Sequence, residues 1–201
     1  MKQVVFDIEA DGLTPTQVWC IVAKDVQTGQ VSQFYGDTLM GFNDLVKGYD
    51  EVIGHNIIGY DVPVLERLLK TDFSHCKITD TLVLSRLANP QRGGHSLGDW
   101  GVTLGNQKAH HEDWTRFSSA MLDYCVQDVA VNELVYKRLL GELRNFGDQS
   151  QNNIPINYTI TPTCGPNAGI PVSYSFIHTP NLAAGGTATA TGSSGGCLPH
   201  G

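Results

Sequence analysis

The sequence predicts an α/β protein in which the first three strands of a sheet form an antiparallel meander and helices follow. Three apolar stretches indicate the meander, at residues 4–9, 17–23 and 31–35. Thr28-Gly29 supplies a turn between the second and third stretches, and apolar residues take helical spacing from Leu39 onwards. With 201 residues, the chain is expected to form one domain with a substantial core.

The first apolar stretch carries two acidic residues. Alternate residues of a strand share a face, so Asp7 and Glu9 project together. The other face carries the apolar side chains of Val4, Phe6 and Ile8. Two carboxylates this close repel each other and desolvate badly unless a cation lies between them, and a divalent metal ion is the simplest such cation. The alternative is an edge strand with two solvated acids.

Asp61 stands directly before Val62 and Pro63, at the start of a predicted helix that runs to about Lys70. Aspartate is a favoured N-cap and proline is tolerated in the first turn of a helix, so a capping role accounts for Asp61. A side chain at a helix start can also project into a cleft. Both roles stay open at this point.

Several short elements are predicted from capping residues and apolar spacing. Asp37 or Thr38 is expected to cap a helix over residues 39–46, and a buried strand follows at residues 52–54. Ser96 is expected to cap a short helical piece.

Asp80 is predicted to cap a helix over residues 80–87, whose apolar side carries Leu82, Val83 and Leu87. Two histidine positions follow in loops. His95 either contacts substrate or has a structural role, and the adjacent His110 and His111 are interpreted as a solvated loop pair.

The longest helical pattern runs from residue 118 to about 145, with a break near Asp123 as the alternative to a continuous helix. Tyr124 and Asp128 are four residues apart and therefore share a face. The core side carries Cys125, Val129, Tyr136 and Leu140. Asp128 either faces solvent or is buried, and a buried carboxylate needs a group that neutralises it.

Composition limits the function classes. The formal net charge of −7 predicts weak unaided affinity for DNA. Five scattered cysteines without a C-x-x-C motif indicate neither a zinc site nor a disulfide framework. No signal peptide or membrane-spanning run is recognised, so a soluble cytoplasmic protein is expected.

The last quarter of the chain differs from the rest. Residues 151–201 contain no Lys, Arg, Asp or Glu and are rich in Gly, Thr, Ser and Pro. Strands are predicted at residues 157–161 and 172–177, with the remainder of this tail largely disordered. The predicted domain organisation is therefore a folded domain over residues 1–150 and an uncharged tail over residues 151–201.

Three spaced motifs resemble those of one family: Asp7-Ile-Glu9, Asn56-x-x-x-Tyr60-Asp61 and Tyr124-x-x-x-Asp128. They occur in the order found in the DEDD, or DnaQ-like, superfamily of 3′–5′ exonucleases, and the tyrosine of the last motif resembles the DEDDy branch. Residues 80–87, 95–101, 124–129 and 143–150 look like the N-terminal proofreading exonuclease domain of family A DNA polymerases of short-tailed phages. The likeness covers about residues 2–150.

This resemblance implies an RNase H-like exonuclease fold with a mixed sheet flanked by helices. It implies a metal-dependent 3′–5′ DNA exonuclease that uses two Mg²⁺ or Mn²⁺ ions and releases nucleoside monophosphates. By the resemblance, Asp7 bridges both ions, Glu9 and Asp128 complete one metal site, and Asp61 holds the other. Tyr124 orients the attacking water. The substrate-binding residues implied are Leu13, Asn56 and His95.

The expected partners are the 3′ end of single-stranded DNA and a polymerase domain or subunit. No membrane partner is expected. The chain is interpreted as a standalone or truncated form of a proofreading domain. Two alternatives stay open. One is an oligoribonuclease-like 3′–5′ exoribonuclease, and the other is a non-catalytic nucleic-acid-binding module, against which the intact set of carboxylates argues.

Overall fold

The computed structural model describes residues 1–106, 111–149, 154–160 and 172–178. The chain divides into two compact units, Met1–Glu142 and Leu143–Gly201. The predicted domain boundary at residue 150 remains a prediction. In the described residues, no helix is both long enough and apolar enough to cross a bilayer.

The first unit contains a five-stranded mixed sheet. Its strands are β1 (Gln3–Ala10), β2 (Val18–Asp25), β3 (Val31–Tyr35), β4 (Glu51–Gly54) and β5 (Lys77–Asp80), in the spatial order β3-β2-β1-β4-β5. β2 is antiparallel to both β1 and β3, whereas β4 is parallel to both β1 and β5. The predicted fold class and meander are therefore confirmed, and β5 is a strand that the sequence did not predict.

Five α-helices are found among the described residues. They are α1 (Gly41–Val46), α2 (Asp61–Leu68), α3 (Thr81–Ala88), α4 (Leu97–Thr103) and α5 (Ser119–Gln149). α5 runs without a break at Asp123 and extends past residue 145, where its end was predicted. Ser96 caps α4, as predicted, by accepting a hydrogen bond from the backbone N–H of Asp99.

Apolar residues cover both faces of the sheet. On one face, Val4, Phe6 and Ile8 of β1 pack in a cluster that includes Phe42 of α1 and Leu65 of α2. On the other face, the cluster contains Val5 of β1, Cys20 and Val22 of β2, and Met121, Cys125, Val129 and Tyr136 of α5. The core side predicted for the long helix is confirmed, and β1 is buried between the two clusters.

Two local predictions are wrong. Neither Asp37 nor Thr38 caps α1, because these residues lie in a preceding 3-10 turn and the N-cap position is Met40. The predicted apolar side of α3 is also incorrect, since Leu87 is 67% exposed. α3 instead buries the small residues Thr81, Ser85 and Ala88.

The second unit contains a two-stranded antiparallel pair, β6 (Ile154–Ile160) and β7 (Val172–His178). These strands overlap in sequence with the two strands predicted at residues 157–161 and 172–177. The disorder predicted for the other residues of the tail falls outside the described residues.

A buried carboxylate joins β4, β5 and β1. Glu51 has no exposed surface, and its Oε1 accepts hydrogen bonds from Lys77 Nζ at 2.9 Å and Thr79 Oγ1 at 2.5 Å. Its Oε2 accepts a hydrogen bond from Gln3 Nε2 at 2.7 Å. Burial raises the pKa of Glu51, but these three donors outweigh it and the net pKa is lowered.

Glu51→Gln should therefore destabilise the protein by about 1–3 kcal/mol at pH 7, because it removes the charge that Lys77 and Thr79 stabilise. The lowered pKa means that this stability is present above the ordinary glutamate pKa of 4.5 and is lost as the pH falls through the folded value. Urea denaturation should show the difference between wild type and variant at pH 7 and little difference near pH 3.

Glu66→Gln is the matched control, since Glu66 lies on the exposed side of α2. It should change the free energy of unfolding by less than about 0.5 kcal/mol. Equal effects of the two substitutions would contradict the role given to Glu51.

Candidate active site

The two acids of β1 lie against α5. Ligand atoms of Asp7, Glu9 and Cys125 are all within 4.8 Å of one another. The thiol of Cys125 donates hydrogen bonds to the backbone oxygen of Asp7 at 3.4 Å and to its Oδ2 at 3.6 Å. Glu9 is only 7% exposed, which rules out an edge strand with two solvated acids. Asp7 and Glu9 thus project to one side, as their spacing predicts.

Asp61 is the first residue of α2, and its carboxylate is directed toward β1. Its Oδ1 accepts a hydrogen bond from the backbone N–H of Ile8 at 3.2 Å, and the residue is 4% exposed. The interpretation of Asp61 as an N-cap is wrong, because Tyr60 occupies that position without a side-chain cap. Asp61 therefore lies beside the residue between Asp7 and Glu9.

Burial raises the pKa of Asp61 to about 7, with the negative charge of Asp80 adding to the effect and the hydrogen bond from Ile8 opposing it. The metal-free carboxyl of Asp61 therefore keeps its proton to a higher pH than an exposed aspartate does. A cation held beside Asp7, Glu9 and Asp61 would favour the ionised form of the Asp61 carboxyl.

Asp128 is 5% exposed, so the solvent-facing alternative for this residue does not hold. It follows Cys125 by three residues on α5, and residues at that spacing share a helix face. Since Cys125 contacts Asp7, this face of α5 is the one that meets β1. Tyr124 is half-buried one turn before Asp128.

The ring of Tyr124 has two aromatic neighbours from the segment before α5. Trp114 meets it edge-on at a centroid distance of 5.8 Å, and the ring of His111 lies at 6.1 Å. The solvated-loop interpretation is therefore wrong for His111, whose Nε2 also pairs with the backbone oxygen of Asp113 at 2.8 Å. His110 lies outside the described residues.

Neither aromatic neighbour of Tyr124 was identified from the sequence. A loop histidine and a loop tryptophan carry no spacing signal that connects them with a helix. In the structure, the loop that carries Trp114 is held by β2, because Trp19 Nε1 donates a hydrogen bond to the backbone oxygen of Trp114 at 3.0 Å.

Asp80 organises the turn that leads to Asp61. Its Oδ1 accepts hydrogen bonds from the backbone N–H groups of Asn56 and Leu82, both at 2.9 Å, and its Oδ2 accepts one from Ile58 at 3.2 Å. It therefore caps α3, as predicted, and also fixes the turn between β4 and α2. Asn56 has φ of 63° in this turn, a left-handed conformation that asparagine tolerates.

The predicted substrate-binding residues lie in three different settings, and their roles remain predictions. Leu13 is 94% exposed on a loop that Tyr60 holds by donating a hydrogen bond from its hydroxyl to the backbone oxygen of Gly12. Asn56 belongs to the turn just described. His95 Nδ1 pairs with Ser85 Oγ at 2.8 Å, which gives this histidine a structural contact.

The donor set fits a hard divalent cation. Asp7, Glu9, Asp61 and Asp128 offer carboxylate oxygens, which suit Mg²⁺ or Mn²⁺. Cys125 was not predicted to belong to the site, although it stands next to Tyr124 in the sequence. Burial raises the pKa of the Cys125 thiol well above its usual range, so it donates a hydrogen bond to Asp7 and stays protonated.

The candidate site thus combines a five-stranded mixed sheet with carboxylates on β1, α2 and α5. No family model matches the chain. By sequence, it is 28% identical over 193 residues to the DNA-directed DNA polymerases of Enterobacteria phage T3 and Escherichia phage T7. Each match covers 71% of this chain and 27% of the polymerase, so the chain spans about a quarter of the length of these relatives.

The fold is that of solved nucleases. Brucella melitensis NrnC with bound Mg²⁺ matches with a TM-score of 0.59 and 21% identity, over 74% of this chain and 77% of that one. The same protein bound to pGG matches with a TM-score of 0.59 and 20% identity, over 74% and 76%. The resemblance to DnaQ-like exonucleases is confirmed at the level of the fold.

Asp80→Ala should lower the free energy of unfolding by about 1–3 kcal/mol, because the backbone N–H groups of four residues lose their acceptor, namely those of Asn56, Ile58, Leu82 and Val83. The measurement is urea denaturation at pH 7. Asp72→Ala is the control, since Asp72 is exposed and accepts from one nearby residue, Ser74. A loss for Asp80→Ala no larger than that for Asp72→Ala would contradict the role of Asp80.

The raised pKa of Asp61 gives a second expectation. Between the unfolded value of 3.8 and the folded value of about 7, the folded metal-free protein binds a proton that the unfolded chain does not. Its contribution to stability is therefore lost as the pH rises through about 7. Because Mg²⁺ competes with that proton, the stabilisation that Mg²⁺ gives should increase over the same range.

Thermal melts of the wild type with Mg²⁺ or EDTA, from pH 5 to pH 8.5, test this expectation. Asp61→Asn cannot titrate at this position, so its Mg²⁺-dependent shift in Tm should be smaller and should vary less with pH. A wild-type shift that is the same at every pH would show that Asp61 does not exchange a proton for the cation.

Proposed function

We propose that this protein is a metal-dependent 3′–5′ DNA exonuclease of the proofreading type, which hydrolyses single strands to nucleoside monophosphates. The observation that carries this proposal is the burial of carboxylates on β1, α2 and α5, where Asp61 accepts a hydrogen bond from Ile8 and Cys125 of α5 contacts Asp7. Glu9, Asp61 and Asp128 are each less than 8% exposed, and they come from three separate elements of the fold. Such a set is costly to bury without cations.

The four carboxylates would hold two divalent ions. Asp7 would contact both ions, Glu9 and Asp128 would complete one site, and Asp61 would serve the other. When bound, the ions supply an activated water nucleophile and offset the charge that develops on the leaving oxygen. The backbone N–H of Ile8 keeps the Asp61 carboxylate directed at this centre through its hydrogen bond.

Tyr124 would orient the attacking water through its hydroxyl group. The edge-on contact with Trp114 and the nearby ring of His111 restrict the position of the tyrosine ring. A hydroxyl held in place loses less entropy when it orients a reactant, which raises the rate of the chemical step.

DNA is the preferred substrate in this proposal because the sequence relatives are DNA polymerases. An oligoribonuclease-like activity on RNA is the second candidate, and the nuclease neighbour bound to pGG motivates it. Comparing single-stranded DNA and RNA of the same sequence, at one Mg²⁺ concentration, distinguishes them. A polymerase domain or subunit that delivers the strand is a further part of the proposal, since the relatives extend well beyond the matched region.

Three variants test the catalytic roles on a 3′-labelled and a 5′-labelled DNA strand. Asp7→Ala should abolish hydrolysis because it removes the ligand shared by both ions. Tyr124→Phe should slow hydrolysis about 100-fold, by misplacing the water, and leave strand binding nearly unchanged. Asp123→Asn is the matched control, because Asp123 is exposed beside Tyr124 on α5 and should keep the wild-type rate.

Hydrolysis by the wild type should require Mg²⁺ or Mn²⁺, stop with EDTA and release mononucleotides from the 3′ end. Release from the 5′ end, or activity that persists in EDTA, would refute the proposed function. Faster hydrolysis of RNA than of DNA would select the second candidate.

A further inference from the structure

A pocket of about 380 Å³ lies at the start of β2 and is not used by the mechanism above. It is formed by the start of β2, the end of β3 and the segment before α5. The residues that matter for its chemistry are Gln17, Trp19, Tyr35, Asp37 and Phe117.

Two aromatic rings form one wall of this pocket. Tyr35 and Phe117 stack with centroids 5.0 Å apart and planes inclined by 11°. The two residues are 43% and 37% exposed, respectively. Stacked rings that remain this exposed offer a flat apolar surface to a planar ligand.

The strand register places Tyr35 in line with Glu9 of the candidate active site. Glu9 of β1 pairs with Cys20 of β2, and Cys20 pairs with Tyr35 of β3. Residues that pair directly across antiparallel strands project from the same face of the sheet. Tyr35 and Glu9 therefore share the face that α5 covers, with their backbones two strand spacings, or about 10 Å, apart.

An irregularity in β2 adds a third aromatic residue to this region. The register between β1 and β2 shifts after Glu9, so that Val18 pairs with Ala10 and Trp19 has no partner of its own. An extra residue of this kind redirects side chains at the end of a strand. Trp19 packs against the cluster on the α5 face and also lines the pocket.

The charge of the pocket identifies the part of a nucleotide that it suits. Among the described residues that line it, none is cationic, and Asp37 adds a negative charge. A phosphate would be repelled there. A nucleobase is neutral and flat, and its edge can form hydrogen bonds with the amide of Gln17 or the carboxylate of Asp37.

We propose that this pocket binds a nucleobase of the single strand, at a nucleotide preceding the 3′-terminal one. Tyr35 and Phe117 are its binding residues, and stacking on them aligns the strand across β2 toward the carboxylates. The inference rests on the proposed nuclease function and adds a substrate site to it.

The experiment measures steady-state hydrolysis of a DNA strand and of matched strands with a single abasic nucleotide at successive positions from the 3′ end. For the wild type, KM should rise about tenfold when the abasic nucleotide is at one particular internal position, because one stacked base is lost. Tyr35→Ala and Phe117→Ala should raise KM about tenfold on the intact strand, with kcat unchanged. Neither variant should respond further to the abasic nucleotide at that position.

Val31→Ala, at an exposed position on the same strand, is the control and should match the wild type. Tyr35→Phe restores an aromatic ring and should lower the KM that Tyr35→Ala raises. Tyr35→Leu keeps apolar volume without an aromatic face and should behave like Tyr35→Ala, which separates stacking from general packing. Thermal melts check that each variant is folded.

The inference is refuted if the alanine variants keep the wild-type KM, or if they remain sensitive to the abasic nucleotide. It is also refuted if Tyr35→Leu matches the wild type. A wild type that hydrolyses no strand with Mg²⁺ would refute the proposed function itself, and the inference with it, so the two failures are distinguishable.

Discussion

The desolvation of buried carboxylates is the constraint on which this structure depends. Glu9, Asp61 and Asp128 are nearly inaccessible to water, and Asp7 is half-buried beside them. Burial favours the protonated form of Asp61, which shows how strongly its surroundings disfavour an uncompensated charge. A fold that keeps these groups together must either protonate them or supply cations, and the oxygen donors favour a divalent ion.

The fold offsets the cost of this desolvation by placing each carboxylate on an element that packing and hydrogen bonds hold in position. β1 is the middle strand of the sheet and is covered by apolar clusters on both faces. α5 is fastened to it through Cys125, and the turn before α2 is held by Asp80. The free-energy cost of burying the carboxylates together is thus offset by packing and by hydrogen bonds made by other residues.

The sequence could predict those features that depend on local pattern. Alternation on β1 predicted that Asp7 and Glu9 share a face, and spaced motifs connected them with Asp61 and Asp128. β5 was missed because Ile78 is the one apolar residue among its four. The buried side of α3 was missed because close packing selected Thr81, Ser85 and Ala88 over the larger residues that usually indicate a core. Contacts such as that of Tyr124 with Trp114 depend on tertiary structure and leave no periodic signal.

The acidic character of the chain constrains how it can hold a nucleic acid. A net charge of −7 gives the backbone phosphates little long-range attraction, so the release of counterions contributes little to affinity. Under the proposed function, binding would then come from short-range contacts with cations held by the carboxylates and with the aromatic surface of Tyr35 and Phe117. Stacking requires unpaired bases, and a duplex hides the faces of its bases from Tyr35 and Phe117. Under the proposed function, the enzyme would therefore be selective for single strands, because the long-range attraction that would hold a duplex is missing.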